Sequence, residues 1–433
     1  MSFKPLSEDG FYGWINVIAA SIFMFTITIM MQTFAIFLPE WIKEFGWKSK
    51  DVSFALTINM IVMAFASPLA GIFVGKYGVR LAIIIGSAIS IIGIYSLANI
   101  QSLWHLYIAN GVIVAIGITL GGMLAITTLM SNWFYKKRSL SISITMAAMG
   151  IAGIIVAPGV PLMISHIGWR STYMTIIPIY FVFALLIPGI FIRNTPQELG
   201  QVPDGPAALD SPDNSQNTIE KADLSRSFIT PVDFTPSEAF KTHTMWLLLV
   251  FNVLNMVAMS AIMAHGYAFL NDIGISQVKA GFFFGITSGA MVAGQLLVGF
   301  LGLKFDMHRL IMLGCVGIII HFILMVFAAY SLIIVYIYVL FGGIGIGINF
   351  VAIMNLIPNF FGTKHFPKIM GFTLLFTTPI GSVGATICGY IRDVTESYIL
   401  FWKIAAVLMI IGLVCLFFAK PPKHPSLREN RDT

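Results

Sequence analysis

The sequence predicts an all-α membrane protein in which twelve transmembrane helices form two pseudo-symmetric six-helix bundles. Three observations carry that prediction. Twelve long apolar segments run along the 433 residues, six on each side of one polar stretch. Lys and Arg gather on one side of the implied layer. Three short sequences of the first half recur in the second half at a nearly constant spacing. Composition agrees with a chain dissolved in lipid. Hydrophobic residues make up 58% and charged residues 10%, with a mean hydropathy of +0.89. A water-soluble domain carries about a quarter charged residues, so no room is left for a soluble catalytic domain.

A membrane-crossing helix needs about 20 apolar residues. In order, the segments are 14–39, 52–75, 80–99, 104–130, 140–163 and 171–192, then 244–270, 279–301, 309–329, 331–357, 368–391 and 399–419. The first follows a polar stretch of 13 residues and is too long for a signal-peptide core, so it reads as an uncleaved helix. It carries Thr28 and Gln32, four apart and therefore on one face. The second and fourth hold glycines four apart, Gly71 with Gly75 and Gly117 with Gly121, which let helices approach closely. The fourth also carries Thr128. The fifth contains Pro158 and Pro161, which free backbone groups and favour a bend. The seventh carries Asn252, Asn255 and His265. The eighth holds Gly285, Gly289 and Gln295, and the ninth His321. The tenth holds Gly343, Gly347, Asn349 and Asn355, and the eleventh Thr373, Thr377 and Thr378.

Between the sixth and seventh segments, residues 193–240 hold six prolines and eight acidic residues against three basic ones. Such a composition buries no core of its own. The expected organisation is an N-terminal bundle over 1–192, a connecting loop over 193–240, a C-terminal bundle over 241–420 and a tail over 421–433.

The charge balance of +6 suggests nucleic acid in a soluble protein, but here the positive-inside rule explains it. With the N-terminus in the cytoplasm, 18 of the 25 Lys and Arg face inward, among them Lys76, Arg80, Lys136, Lys137, Arg138, Lys304, Arg309, Lys364 and Lys368. The other seven are Lys43, Lys48, Lys50, Arg170, Lys279, Arg392 and Lys403. Both termini are therefore expected to be cytoplasmic. The two halves match in register. TFAIFLPE (33–40) pairs with HGYAFLND (265–272), GIFVGKYG (71–78) with GFLGLKFD (299–306), and LAITTLMSNWF (124–134) with VAIMNLIPNFF (351–361), at offsets of 232, 228 and 227. Parallel repeats related by an axis along the membrane normal give this pattern.

The loop after the second segment reads Gly71-x-x-x-Gly75-Lys76-x-Gly78-x-Arg80. With it, the chain resembles the major facilitator superfamily over essentially its whole length. That family's pattern has an Asp where this chain has Gly75, and the second-half copy has Leu303. A narrower resemblance is to the monocarboxylate porter and oxalate–formate antiporter branch. It rests on YGWINV (12–17), FGWKSKDVS (45–53), NWFYKKRSLSISI (132–144), GWRSTYM (168–174), RNTPQELGQVPDG (193–205) and IRDVTESY (391–398). The resemblance implies the major facilitator fold and transport of small organic anions, with protons or by exchange. One departure bears on the substrate. The branch carries a Gly-Arg dipeptide in the eighth helix, and this chain has Gly294-Gln295. The exchangers' Lys in the eleventh helix has no counterpart between Gly371 and Gly389. A bidentate Arg clamps a carboxylate, whereas Gln295 offers hydrogen bonds without charge, so a neutral or zwitterionic solute stays open.

Helices that face the cavity in that family supply the candidate solute-binding residues: Thr28, Gln32, Thr128, Asn255, His265, Gln295, Asn349, Asn355 and Thr378. The alternative for each is ordinary interhelical hydrogen bonding. No Asp or Glu lies deep in a segment, so His265, titrating near neutrality, is the proton-coupling candidate. His321, in a helix peripheral in that fold, reads as structural. Candidate gate loops comprise Gly71, Lys76, Gly78 and Arg80, with Lys304 and Arg309 in the second half. Enzyme signatures are missing: no nucleotide-binding P-loop, no Cys/His spacing for a metal, and GGIGIGIN (342–349) lies in a helix with no strand before it. The three cysteines sit inside segments and predict no disulfide framework.

The function expected is secondary active transport of a small organic solute, a monocarboxylate or related anion, by alternating access through proton symport, exchange or uniport. Two alternatives stand beside it: an exporter of neutral or apolar compounds, and a membrane receptor that binds solute without moving it. No catalytic residue, cofactor or metal is expected. The expected partners are the bilayer, the solute, and a proton or counter-transported anion. The protein is expected to act as a monomer in the plasma or inner membrane, with no nucleic acid.

Overall fold

The computed structural model describes residues 10–204 and 228–424, which are helical with no strand among them. Twelve helical spans among these residues are long and apolar enough to cross a membrane. The chain divides into two compact units, Met1–Leu224 and Ser225–Thr433.

In the first unit, α1 (Gly13–Phe45) ends at Gly46, whose φ of 66° gives the left-handed cap and whose N–H bonds Ile42 O at 3.0 Å. Helices α2 (Ser49–Tyr77) and α3 (Val79–Ala98) meet at the single residue Gly78, with φ 88°. Helix α4 (Leu103–Trp133) is not uniform. It has a π-helical stretch, Tyr107–Val114, and breaks at Gly122, where ψ is −140°. The fifth and sixth segments were expected with a loop between them. Instead the chain is helical from Arg138 to Tyr180 except at Gly168 (φ 76°, ψ 163°). Helix α5 (138–167) therefore passes into α6 (169–191) across one residue. The chain keeps helical dihedrals at Pro158 and Pro161, and only the glycine turns it. Helix α1 packs along the α5–α6 pair, and α3 packs on α4.

The second unit holds α7 (His243–Asp272), α8 (Gln277–Leu301), α9 (Met307–Val326), α10 (Leu332–Phe361), α11 (Phe366–Thr395) and α12 (Ile399–Phe418). Side chains cap three of these helices: Thr242 bonds Met245 N–H, Asp306 bonds His308 N–H and Ser331 bonds Ile333 N–H. Helices α8 and α9 pack on α10, while α7 packs on α11 and α12. Close approach rests on glycines. A Cβ on Gly343 or Gly347 would overlap the α8 backbone at Thr287 and Met291. Gly285 and Gly289, equally spaced in the sequence, meet nothing within 4 Å.

The repeat is visible inside each unit. Phe37 of α1 stacks on Tyr173 of α6, with centroids 4.0 Å apart. Its counterpart 232 residues on, Phe269 of α7, meets Tyr398 and Trp402 next to and within α12 at 6.3 and 5.6 Å. Such aromatic pairs contribute about 0.5–1.5 kcal/mol each beyond buried area.

The connecting segment departs from the expectation set by its composition. Its described ends, 193–204 and 228–240, each pack on one unit. The intervening part, 205–227, lies outside the described residues.

Candidate functional site

Two of the three candidates in the first unit are committed to their own helix. Thr28 and Thr128 are buried, and each hydroxyl donates to the carbonyl one turn back, Met24 O at 2.8 Å and Leu124 O at 2.7 Å. Gln32 differs. It is half-buried, its amide nitrogen lies beside Gly153 of α5, and among the described residues no hydrogen bond holds it. Only the small glycine leaves room for that amide.

The gate-loop residues divide in the same way. Gly71 is buried. Gly78 supplies the positive φ between α2 and α3, and a Cβ there would overlap Asn194. Arg80 is tied down, its N–H donating to Asn194 Oδ1 at 2.9 Å and its Nε to Gly189 O at 2.8 Å. It fastens α3 to the end of α6. Lys76 is exposed, with its ammonium 5.1 Å from the Tyr77 ring centroid. Lys304 and Arg309 are also exposed, on either side of the Asp306 cap of α9.

In the second unit the structure brings together one pair of candidates. Asn349 Nδ2 of α10 donates to Asn255 Oδ1 of α7 at 3.4 Å. Asn349 is 1% exposed, its Oδ1 faces Gly314 of α9, and that oxygen has no donor among the described residues. Gln295 is also 1% exposed, and its Oε1 has no donor. Asn252, one turn before Asn255, is a third case through its Oδ1. Leaving such a group unpaired costs about 1–3 kcal/mol. Three carboxamide oxygens in one six-helix unit are thus open to a donor. Asn355 is buried, and its Nδ2 donates to Val351 O one turn back at 2.9 Å. Thr378 is half-buried, with no hydrogen bond of its side chain among the described residues.

His265 of α7 is half-buried and engaged at both ring nitrogens. Nε2 lies 2.9 Å from Ala385 O of α11, and Nδ1 lies 3.4 Å from the Tyr398 hydroxyl at the start of α12. A neutral ring satisfies both, with Nε2–H donating to the carbonyl and Nδ1 accepting from the tyrosine. The charged ring would carry a second N–H toward Tyr398. His265 thereby joins three helices. In the first unit its repeat partner, Thr33, donates at 3.1 Å to Met30 O. His321 of α9 is buried, with Nδ1 2.9 Å from Tyr338 O and its ring filling the space left by Gly342. It holds α9 to α10.

The largest charged contact lies at a helix end. Glu44, beyond the apolar part of α1, accepts from Trp169 Nε1 at 2.5 Å and from Arg170. The guanidinium lies 4.2 Å from the Trp169 ring centroid. The Arg170 hydrogen bond holds the Glu44 carboxyl below the usual glutamate range, against partial burial and with help from Trp169.

A cavity of about 380 Å³ opens on the first unit, between α1, α5 and α6, lined by Ile22, Phe25, Ile29, Ile151 and Phe183 among others. None of the candidate residues lines it, and its wall is mostly apolar, with Ser21 and Thr26 the hydroxyl side chains in it. Among the described residues no group of three or more His, Cys, Asp or Glu could hold a metal ion. Sequence reasoning missed Asn59, whose Nδ2 bonds Asn110 O at 2.7 Å across α2 and α4. It also missed Tyr398, which sits next to the His265 ring. An aromatic at a helix end carries no signal of its own, and only the repeat of Tyr173 at that place points to it.

Comparison with known proteins adds the family. Residues 18–386 match the model of the Major Facilitator Superfamily. Monocarboxylate transporter 13 of Bos taurus is 23% identical over 416 residues, covering 95% of this chain and 90% of that protein. Monocarboxylate transporter 2 of Mus musculus is 21% identical over 425 residues, covering 95% and 85%. Among solved structures, the proton:xylose symporter XylE bound to 6-bromo-6-deoxy-D-glucose superposes with a TM-score of 0.73 at 11% identity, covering 94% of this chain and 96% of that one. FucP in the outward conformation gives 0.69 at 14% identity, covering 95% and 100%. At these identities the structures speak for the fold alone.

Proposed function

Because this chain belongs to the Major Facilitator Superfamily, a family of membrane transporters, we propose that it moves a small monocarboxylate or related organic anion by alternating access. One observation carries the substrate class: the match to proteins named monocarboxylate transporters runs through nearly the whole chain, across both units. The protein would lie in the plasma or inner membrane as a monomer, with both termini cytoplasmic, as the Lys and Arg distribution suggests.

Gln32 in the first unit and Asn255, His265 and Thr378 in the second are the candidate solute contacts with polar groups still partly accessible. Buried Gln295 and Asn349, with Asn252 beside them, would take part only if the solute or a water reaches their unpaired oxygens. Thr28, Thr128 and Asn355 support helix backbone. His265 is the group proposed to take up a proton, since protonation would turn Nδ1 from acceptor to donor in its contact with the Tyr398 hydroxyl. The His265→Gln variant tests this: loss of the pH dependence of uptake is expected, and an unchanged profile would contradict it.

A neutral solute is the second reading, and one observation favours it. The unpaired groups Asn252 Oδ1, Gln295 Oε1 and Asn349 Oδ1 are acceptors, so they suit a solute's O–H or N–H better than a naked carboxylate. A thermal-stabilisation screen of the purified protein separates the readings, because a bound solute stabilises the folded state by mass action. Carboxylates that raise the melting temperature while their amides do not would support the anion. The reverse pattern would support the neutral solute.

A further inference from the structure

The two ends of the connecting segment are each held by a carboxylate, at places that the internal repeat relates. In the first unit the chain leaves α6 at Arg193, whose carbonyl accepts from the Trp133 indole at 2.8 Å. It then runs to Asp204. One Asp204 oxygen accepts from the backbone N–H groups of Tyr135 and Lys136, and the other from Lys137 N–H at 2.9 Å. These residues form the turn between α4 and α5. In the second unit Asp233 Oδ1 accepts from Lys364 N–H at 3.2 Å, in the turn between α10 and α11. It also fills the space beside Gly362, where φ is 86° and a Cβ would overlap the carboxylate. The offset of 227 that relates 124–134 to 351–361 carries Tyr135 onto Gly362 and Lys137 onto Lys364. Backbone bonds accompany both contacts: Asp204 N–H to Trp133 O at 3.4 Å, and Phe234 N–H to Phe361 O at 2.9 Å.

We propose that Asp204 and Asp233, from the two ends of the connecting segment, are anchors that brace the repeat-related turns before α5 and α11. Neither helix has a side-chain cap of its own. The first N–H groups of a helix lack partners within it, and a carboxylate there is favoured by the helix dipole. The connecting segment places a carboxylate next to each such end, bonded to the turn that leads into the helix: Lys137 N–H at the N-cap of α5 with Tyr135 and Lys136 before it, and Lys364 N–H one residue before the N-cap of α11. Three N–H donations to one carboxylate make Asp204 the stronger anchor. The anchors act on the turns themselves. The motif RNTPQELGQVPDG thereby belongs to the first bundle, as an external brace of the turn between α4 and α5.

Burial pushes the Asp204 carboxyl above the ordinary aspartate range, while the N–H donations of Tyr135, Lys137 and Lys136 and the charge of Lys137 pull it back. A neutral isostere escapes that burial cost, so Asp204→Asn is expected to fold. Amide hydrogen exchange on the purified full-length protein tests the proposal. Asp204→Ala is expected to raise exchange at 135–137 by about tenfold, and Asp204→Asn by a smaller factor. Both should leave 362–364 at the wild-type rate. Asp233→Asn should do the converse. Unchanged exchange at a variant's own turn would overturn the proposal, as would equal rises at both turns, which report general loosening. The result does not depend on which solute the protein carries, so it stands or falls apart from the transport reading.

Discussion

Asn349 shows how a single side chain is both held and left open. Its nitrogen reaches Asn255, while its oxygen, beside Gly314, has no donor among the described residues. An apolar replacement removes that unpaired buried oxygen but leaves Asn255 Oδ1 without its donor, two effects of opposite sign and about 1–3 kcal/mol each. Asn349→Leu is therefore expected to change unfolding free energy by less than about 1 kcal/mol, read from the melting temperature without solute. A loss of several kcal/mol would mean that the Asn349–Asn255 bond itself holds α10 to α7. Glu44 is a simpler case. Its folded pKa is depressed, so its contribution is present above the ordinary glutamate pKa and lost as pH falls through the lower folded value. The pair with Arg170 is more than a third exposed, so the contribution is about 0.2–1 kcal/mol after solvent screening. The melting-temperature gap between wild type and Glu44→Gln should be small at neutral pH and close on acidification below pH 4. A gap that widens in acid would contradict this. The sequence showed residue types at both places but not their surroundings. Nothing in the letters separates half-buried Gln32 from buried Gln295.

At the scale of elements, glycines four apart occur in α2, α4, α8 and α10, and the structure assigns those of α8 and α10 different work. Gly347 lies against the α8 backbone, whereas Gly285 faces open space. Gly347→Ala must push α8 and α10 apart and is expected to cost about 1–3 kcal/mol. Gly285→Ala should be neutral or stabilising by up to about 1 kcal/mol, because alanine loses less backbone entropy in a helix. Melting temperatures of the two variants check this, and equal effects would contradict it. The apolar runs made all twelve helices legible, because lipid-facing and packing faces are both apolar. The joints were less legible. The passage from α5 to α6 at Gly168 resembles a loop in composition, since His166, Trp169 and Arg170 flank it, yet one positive φ suffices. The break in α4 at Gly122 had no signal beyond the glycine itself.

For the whole molecule, the sequence already held the repeat, and the structure gives it physical content. An aromatic pair recurs at Phe37 with Tyr173 and at Phe269 with Tyr398, stacked at 4.0 Å in the first unit and edge-on at 6.3 Å in the second. Where the copies differ, function is a reason to look. Thr33 against His265 is such a place, since only the second unit has a titratable group there. The candidate site was legible as a set of polar residues on the expected helices. Which of them meet a solute was not, because that depends on side-chain direction, and several proved committed to their own backbone. The central claim is that this member of the Major Facilitator Superfamily carries a small monocarboxylate. Its most direct test is counterflow of radiolabelled pyruvate and L-lactate into proteoliposomes of the purified protein. Saturable accumulation that unlabelled monocarboxylates compete away and their amides do not is the predicted result. Counterflow of neutral solutes alone, or no carboxylate flux above empty liposomes, would contradict the claim.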